Sequence, residues 1–323
     1  MTYKCMIIGL GQIGLGYDLA IDLEGMIFTH SKAFSLHSDF ELLCGVDSAQ
    51  DRCTLFSEYY SKPSFTSIKS ALETHTPDVV VIACPTNLHY EAINTVLRYS
   101  KPQVILCEKP LAYDLTEARA IVDVCESAGV MLFVNYMRRA DPGAIEVKRR
   151  IDTGQITQPI KGVAWYSKGL LHNGSHLFNL LEFWLGSFIE ARVLNSGRKL
   201  SNQDSEPDIQ VVFQRGTVIF MAAWEESFSH YTIELLSTVG RLRYEQGGKM
   251  ITWQVVESSP NNASDKLLQD NSEVILNDMT RYQGNVADQL FKALSGQPQT
   301  LSTGKQSLLT LEALHTIINQ QAI

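Results

Sequence analysis

The sequence predicts a doubly wound α/β domain built on a parallel sheet, followed by an α+β domain with a mainly antiparallel open sheet. Short apolar runs alternate with amphipathic segments through the first 135 residues, and turn-joined strand-like runs follow before the chain returns to helical spacing. With 323 residues, 45% of them hydrophobic and 19% charged, the chain is long and apolar enough to bury two cores. We predict domains at 1–134 and 135–323.

Five continuous apolar runs predict the strands of the first domain, because the strands of a parallel sheet are covered on both faces. Residues 87–99 and 115–128 carry apolar side chains three and four positions apart, which is typical of helices packed on a sheet. Asp114 can cap the second of these helices and Gly129 can end it. The predicted strands are 4–8, 40–46, 78–83, 103–107 and 131–135.

The pattern changes after Asp141, Pro142 and Gly143, where strand-like runs replace the alternation of strands and helices. Two pairs of these runs flank short turns, which predicts successive hairpins and an antiparallel sheet. The hairpins are predicted at 209–213 with 217–223 and at 232–237 with 241–244. The other predicted elements of this half are a helix at 144–152, a surface loop at 257–270, and helices at 279–294 and 303–318.

Charge and hydropathy argue against two classes of partner. The net charge of -8 provides no overall field that attracts nucleic acid or an anionic membrane. No run approaches the roughly 18 apolar residues of a membrane helix, and the amino terminus lacks the long apolar core of a secretory signal. All six cysteines precede residue 126 without a CxxC spacing, so we expect reduced, buried thiols and a cytoplasmic protein.

Three glycines follow the first strand directly, at Gly9, Gly11 and Gly14. In a dinucleotide-binding turn the first glycine permits the tight bend, the second lets the backbone approach a diphosphate, and the third lets helix and strand pack closely. An ordinary glycine-rich turn could carry this motif, but its place at the start of an alternating domain favours a Rossmann nucleotide site. We predict that Gln12 and Ile13 contact the cofactor together with the three glycines.

Asp47 closes the second predicted strand, where an acidic residue would hold the ribose hydroxyls of the cofactor. It lies 33 residues after Gly14, whereas the usual spacing is about 20, so we predict an insertion of about 13 residues at 17–29. The insertion is either a lid beside the cofactor or a passive surface excursion. A carboxylate repels a 2′-phosphate, which favours NAD, although Arg52 nearby leaves NADP possible.

Four blocks, at 9–14, 84–89, 108–112 and 174–179, match in order the glucose-fructose oxidoreductase and inositol dehydrogenase family, which this chain resembles. The resemblance implies a nicotinamide-dependent enzyme that interconverts a hydroxyl and a ketone of a sugar or cyclitol. It implies that Lys109 and His176 transfer protons, and that the Lys109-Pro110 bond is cis, as it often is in relatives. The cofactor contacts that it implies are Pro85, Thr86, Asn87, His89, Glu108 and Lys109.

These residue types also suit the chemistry itself. Moving a hydride to or from a carbinol carbon requires a matching proton at the oxygen, which a positioned amine such as Lys109 can donate or accept. His176 can assist or orient the substrate oxygen, because an imidazole exchanges its proton near neutral pH. Lys109 follows a strand of the parallel sheet at the edge where ligands bind.

Two positions depart from the family pattern, which commonly has Asp four residues before the histidine and Asp three residues after it. This chain has His172 and Asn179 there. Either His172 shares the acid-base work, or the substrate is not a simple polyol, or catalysis is lost. A metal site at His172 and His176 is disfavoured, because Asn173 stands where a metalloprotease HExxH motif has Glu and no third ligand is evident.

The predicted function is therefore an NAD(P)-dependent dehydrogenase or reductase of carbohydrate metabolism, acting on a CH-OH group of a sugar, nucleotide sugar or cyclitol. The reaction is expected between the two domains, where small ligands often bind. The alternative is a catalytically inactive dinucleotide-binding sensor or regulator. A hydrolase is disfavoured because the sequence has no GxSxG motif. We expect a homodimer or homotetramer that pairs through the exposed face of the antiparallel sheet, as relatives often do.

Overall fold

The computed structural model describes residues 2–19, 25–201, 204–223, 228, 230–260, 262 and 264–320. In chain order the strands are β1 (Tyr3–Ile8), β2 (Phe40–Val46), β3 (Ser64–Phe65), β4 (Val79–Ile82), β5 (Val104–Cys107), β6 (Met131–Val134), β7 (Ile160–Tyr166), β8 (Phe188–Lys199), β9 (Ser205–Phe213), β10 (Gly216–Ala222), β11 (Thr232–Ser237), β12 (Gly240–Glu245), β13 (Met250–Ser258), β14 (Lys266–Leu268), β15 (Glu273–Val274) and β16 (Ser302–Thr303). The helices are α1 (His30–Leu36), α2 (Gln50–Tyr60), α3 (Ile68–Leu72), α4 (His89–Tyr99), α5 (Leu115–Ala128), α6 (Pro142–Asp152), α7 (Ser175–Leu185), α8 (Tyr282–Leu294) and α9 (Gly304–Asn319).

The chain divides into two compact units that differ from the predicted domains 1–134 and 135–323. The first unit comprises Met1–Ala140 and Thr280–Leu309, and the second comprises Asp141–Met279 and Thr310–Ile323. The first unit extends to Ala140 because the short turn after β6 packs on α8. It also regains a carboxyl-terminal segment, because β16 pairs with β6 at the edge of the first sheet.

The first unit is a doubly wound sheet with the strand order β16-β6-β5-β4-β1-β2-β3. Strands β1 to β6 pair in parallel, and only β16 runs antiparallel. Every residue of β4 and β5 is buried, which explains why the central strands read as continuous apolar runs. The predicted α/β fold class is confirmed, and the five predicted strands lie at their expected places.

The first helix of this unit is interrupted directly after the glycine loop. The carbonyl oxygens of Ile13 and Gly14 accept hydrogen bonds from the backbone N–H groups of His30 (3.0 Å) and Ser31 (3.1 Å). In an uninterrupted helix the donors would be residues 17 and 18, so the observed donors stand about 13 positions further along the chain. This displacement agrees with the insertion predicted from the position of Asp47. Residues 20–24, which a lid would include, lie outside the described residues.

Asp18 joins the beginning and the end of the insertion through hydrogen bonds. Its buried carboxylate accepts hydrogen bonds from the backbone N–H groups of Phe28 (3.1 Å) and Thr29 (2.7 Å) and from the Thr29 hydroxyl (2.6 Å). Thr29 in turn caps α1 by accepting from the N–H of Lys32. These hydrogen bonds fix the position at which the chain enters α1.

The second unit is built on a sheet with the strand order β14-β13-β12-β11-β7-β10-β9-β8, to which β15 adds on β13. All of its pairings are antiparallel except that of β7 with β10, so the predicted mainly antiparallel sheet is confirmed. The hairpins β9/β10 and β11/β12 form where the turn signals predict them.

Several strands of this unit have no counterpart among the predicted hairpins, and β14 and β8 are two of them. The segment 257–270, expected as a loop, contains the end of β13 and all of β14, which pair with each other. Strand β8 has no predicted counterpart, and most of its residues are exposed. Both are edge strands whose side chains lack the apolar alternation that a half-buried strand displays. In the described part of the chain, no helix has the length and apolar character needed to cross a bilayer.

Candidate functional site

The glycine loop after β1 combines two sterically constrained glycines with one that borders open space. Gly9 has a φ of +98°, and a Cβ there would lie 2.4 Å from the carbonyl carbon of Ala83. A Cβ on Gly14 would lie 2.0 Å from the carbonyl oxygen of Gly9. Around a Cβ on Gly11, by contrast, no atom lies within 4 Å, so this backbone borders open space. The loop thus has the close-packed first and third glycines and the open second glycine that a diphosphate-binding turn requires.

A cleft of about 740 Å³ opens beside this loop, at the carboxyl ends of the parallel strands. Its volume is typical of a site for a small-molecule ligand. Of the predicted cofactor contacts, those that line the cleft are Gly9, Gly11, Gln12, Ile13, Asp47 and Pro85. Lining residues that the sequence analysis missed include Ser48, Thr66, Ser67, Leu88 and Thr95. Their signal in the sequence is weak: Ser48, Thr66 and Ser67 are short polar residues near strand ends, and Leu88 and Thr95 lie at and within the helical segment after β4.

Asp47 is fixed at the end of β2 by two backbone hydrogen bonds. Its Oδ2 accepts from the N–H of Leu10 at 2.8 Å, and its Oδ1 accepts from the N–H of Ala49 at 3.0 Å. The first bond ties the carboxylate to the glycine loop. Each carboxylate oxygen has a second lone pair, so two acceptor sites remain for hydroxyl donors in the cleft. This pair of acceptor sites fits the two hydroxyl donors of an adenosine ribose.

Residues 84–89, which follow β4, lie partly at the cleft and partly in the protein interior. Pro85 lines the cleft, whereas Thr86 and Asn87 are not among its lining residues. The ring of His89 is fully buried, with its nitrogens 3.0 Å from the carbonyl oxygen of Cys84 and 3.1 Å from that of Leu111. Burial lowers the pKa of His89, and these carbonyl contacts oppose the shift. His89 therefore differs from its prediction as a cofactor contact, since it joins two loops from inside the core.

Glu108 and Lys109 follow β5, and the Lys109-Pro110 peptide bond is cis. The Glu108 carboxylate lies 2.8 Å from His30 Nε2 and accepts a 2.7 Å hydrogen bond from the Asn135 amide. Burial by itself would raise the pKa of Glu108, but the bonds and charge of His30, the bond from Asn135 and the charge of Lys109 together lower it. The carboxylate of Glu108 is thus committed to protein donors, and neither Glu108 nor Lys109 is among the lining residues of the cleft.

Two histidines of the second unit lie on one turn and the helix that follows it. The turn Gly169–Gly174 leads into α7, with His172 exposed on the turn and His176 buried in the helix. Asn179 lies one turn further along α7, and its amide donates a 3.0 Å hydrogen bond to the Thr310 hydroxyl. The amide at position 179 is therefore part of the packed interior of this unit.

Two carboxylates at the beginning of β9, Asp204 just before the strand and Glu206 within it, hold the turn that carries His172. Asp204 accepts hydrogen bonds from the backbone N–H groups of Leu171 (2.9 Å) and His172 (3.0 Å), and Glu206 accepts from Gly169 (3.2 Å). Burial raises the pKa of Asp204, and the backbone N–H donors oppose that shift. The sequence analysis missed both carboxylates, because only the fold brings β9 to this turn.

Among the residues that the structure describes, no group of three or more His, Cys, Asp or Glu side chains is arranged to hold a metal ion.

The parallel sheet, the open glycine loop and the carboxylate at the end of β2 together define a dinucleotide-binding Rossmann domain. Residues 3–136 match the sequence model of the Gfo/Idh/MocA family, described as an oxidoreductase family with an NAD-binding Rossmann fold. The chain therefore carries a domain of this family, and the resemblance predicted from the sequence is confirmed, as is NAD as the cofactor type of the domain.

Comparison with individual proteins extends the likeness beyond this domain. The scyllo-inositol 2-dehydrogenase (NAD(+)) of Bacillus subtilis is 28% identical over 225 residues, which are 62% of this chain and 58% of that protein. The match thus spans somewhat more than half the length of that relative. Two crystal structures share the fold over 100% of this chain. One is an oxidoreductase from Agrobacterium radiobacter in complex with NAD+, L-tartaric acid and magnesium (TM-score 0.75, 19% identity, 97% of that chain). The other is the WlbA dehydrogenase from Bordetella pertussis in complex with NADH and UDP-GlcNAcA (TM-score 0.73, 16% identity, 98% of that chain).

Proposed function

We propose that this protein is an NAD-dependent oxidoreductase that interconverts a hydroxyl and a ketone on a sugar, nucleotide sugar or cyclitol. The observation that carries the proposal is the cleft beside the glycine loop, in which the open backbone at Gly11 and the anchored carboxylate of Asp47 fit the two ends of an adenosine diphosphate. Gly11, Gln12 and Ile13 would hold the diphosphate, and Asp47 would hold the ribose hydroxyls.

When bound, the nicotinamide supplies the hydride chemistry at a carbinol carbon. The protein supplies the proton chemistry at the attached oxygen. Lys109 accepts the hydroxyl proton during oxidation and returns a proton to the carbonyl oxygen during reduction. Its loop begins on β5, whose carboxyl end lies at the ligand-binding edge of the sheet.

His176 and His172 assist this proton transfer in the proposal. Asn179 has an amide where relatives commonly have a carboxylate, and an amide neither gains nor loses a proton at neutral pH. An imidazole at position 172 can take over that exchange, because its proton is labile near neutral pH. The exposed position of His172 on its turn leaves it accessible to a substrate or to water.

The substrate class rests on the relatives. A scyllo-inositol dehydrogenase matches at 28% identity, and the fold is shared with a dehydrogenase crystallised with a nucleotide sugar. Both names are those of enzymes, so they favour catalysis over the inactive sensor.

The test is a search for turnover. The purified protein is mixed with NAD+ or NADP+ and with scyllo-inositol, myo-inositol, common aldoses or UDP-GlcNAcA, and absorbance is followed at 340 nm. We expect reduction of NAD+ in preference to NADP+ with at least one of these polyols. Tight binding of NAD+ without turnover on any of them, in either direction, would instead support the sensor.

A further inference from the structure

A buried imidazole links the glycine loop to the loop that carries Lys109. We propose that His30 is a positioning residue for Lys109, acting through the carboxylate of Glu108. The proposal rests on the proposed function, and it adds a residue that lies outside every block of the family resemblance.

His30 is held on both its backbone and its ring. Its backbone N–H donates to the carbonyl oxygen of Ile13 in the glycine loop at 3.0 Å, and its Nε2 lies 2.8 Å from Glu108 Oε1. The residue is 1% exposed, so its ring has little room to move. The Glu108 carboxylate is ionised and can only accept, so Nε2 donates to it alongside the amide of Asn135. His30 therefore joins two loops through one side chain and one peptide group.

Glu108 connects His30 to the backbone of Lys109, the next residue in the chain. The Oε1 atom of Glu108 accepts hydrogen bonds from His30 Nε2 and from the Asn135 amide. Its Oε2 atom accepts from the backbone N–H of Lys109 at 3.3 Å. Asn135 is itself oriented by a 3.2 Å bond to Gln283 Oε1. A buried carboxylate needs its donors, since an unpaired buried charge is strongly disfavoured. Without His30 the carboxylate would turn toward other donors and release the peptide N–H of Lys109.

Loss of the His30 ring should lower the turnover rate more than it weakens cofactor binding. Neither His30 nor Glu108 lines the cleft beside the glycine loop, so loss of the ring leaves the cofactor contacts in place. A displacement of the Lys109 amine by about 1 Å would lower turnover by about 100-fold, because proton transfer depends on close alignment. A residue that merely filled the core would lower stability and leave the turnover of the folded protein unchanged.

The experiment compares His30→Ala, His30→Gln and the matched control His37→Ala. His37 follows α1 at its other end and packs on Phe40 and Phe291 without a contact to Glu108. Glutamine keeps a neutral donor that can reach Glu108, so it is the conservative variant. Three quantities are measured: kcat with scyllo-inositol and NAD+, the dissociation constant of NAD+ from tryptophan fluorescence, and hydrogen exchange in the peptide covering 105–113.

We expect His30→Ala to lower kcat by about 100-fold while the NAD+ dissociation constant changes by less than about threefold. Hydrogen exchange at 105–113 should rise by about 10-fold, because the loop opens locally. His30→Gln should restore most of both losses, and His37→Ala should produce neither.

Three results would overturn the proposal: unchanged exchange and kcat in His30→Ala, equal losses in His37→Ala, or no recovery in a folded His30→Gln. The exchange readout needs no substrate. If the unmodified protein lacks turnover, the proposed function fails, while hydrogen exchange still decides whether His30 holds this loop.

Discussion

The Asp47 side chain both stabilises the protein and lines the cleft for the ligand. Its carboxylate supports the glycine loop through Leu10 and the start of α2 through Ala49. Asp47 also lines the cleft, and its remaining lone pairs are the acceptors that we propose for the ribose. A negative charge at this position favours a free 2′-hydroxyl over a 2′-phosphate.

The first prediction separates these tasks with Asp47→Asn, which removes the charge and keeps one side-chain oxygen as an acceptor. We expect the ratio of NADP+ to NAD+ dissociation constants to fall by about 10-fold, equivalent to about 1.4 kcal/mol, because repulsion of the phosphate is lost. Fluorescence titration with each nucleotide measures the ratio. An unchanged ratio would reject the assignment of Asp47 to the ribose.

The second prediction concerns pH and Glu108. The pKa of this carboxyl is lowered in the folded protein, so ionised Glu108 stabilises the fold above its unfolded pKa of about 4.3, and the contribution is lost as pH falls through the folded pKa. The difference in unfolding free energy between the parent and Glu108→Gln should therefore be largest above pH of about 5 and shrink in more acidic solution. Urea unfolding across this range measures it, and a difference independent of pH would contradict the buried ionised state.

Residues that a local motif identifies were found from the sequence, and those that only the fold brings together were not. Gly9, Gly11 and Asp47 belong to a short pattern with a known spacing. The sequence did not reveal the role of His30, because its partner, Glu108, is distant in sequence. His89 was assigned to the cofactor from its block, yet its ring points into the core, and no local pattern distinguishes these orientations.

Among the elements of the first unit, the glycine loop joins β1 to the helical segment under close steric constraint. Two of its glycines are required by neighbouring backbone, and one borders the cleft. This contrast makes it possible to separate folding from binding within a single turn.

The third prediction uses that contrast. Gly14→Ala introduces a Cβ 2.0 Å from the carbonyl oxygen of Gly9, so we expect a loss of about 1–3 kcal/mol of unfolding free energy. Gly11→Ala meets nothing within 4 Å and should change stability by less than about 0.5 kcal/mol, while weakening NAD+ by crowding the diphosphate. Thermal melting and NAD+ titration measure the two effects. Equal NAD+ affinity in Gly11→Ala and the parent would argue against a diphosphate at this turn.

The sequence predicted buried elements better than edge elements. Strands β4 and β5 are continuous apolar runs because both of their faces are covered. Strand β14 was predicted as loop, and β8 was missed, because exposed edges do not require apolar side chains. The interruption of the first helix was inferred indirectly, from a spacing that was too long for its motif.

At the scale of the molecule, the division into units depends on contacts that leave little trace in the sequence. The two residues of β16 add to the edge of the first sheet, and a strand this short has no recognisable periodicity. This explains why the predicted second domain included residues 280–309, which belong to the first unit.

We also propose that copies of this chain associate through the outer face of the antiparallel sheet. Val163 and Trp165 alternate along β7 with buried residues and are 36% and 38% exposed, and Leu236 on β11 is 46% exposed. Exposed apolar side chains on one sheet face favour self-association.

The fourth prediction tests this surface. Trp165→Glu should lower the molar mass measured by light scattering after size exclusion, because a buried unpaired carboxylate opposes association. Leu309→Glu changes a 59% exposed apolar side chain on α9, which is not part of this sheet, and should leave the mass unchanged. A monomeric parent protein, or equal masses for Trp165→Glu and the parent, would contradict the proposed interface.

In the proposed mechanism Lys109 moves the proton while the glycine loop holds the nucleotide, and Lys109→Met separates these two roles. Methionine keeps an unbranched apolar side chain and removes the amine. We predict that kcat with NAD+ and the active polyol falls by at least about 1,000-fold, while the NAD+ dissociation constant stays within a factor of about two. Turnover close to that of the parent would show that Lys109 does not transfer the proton.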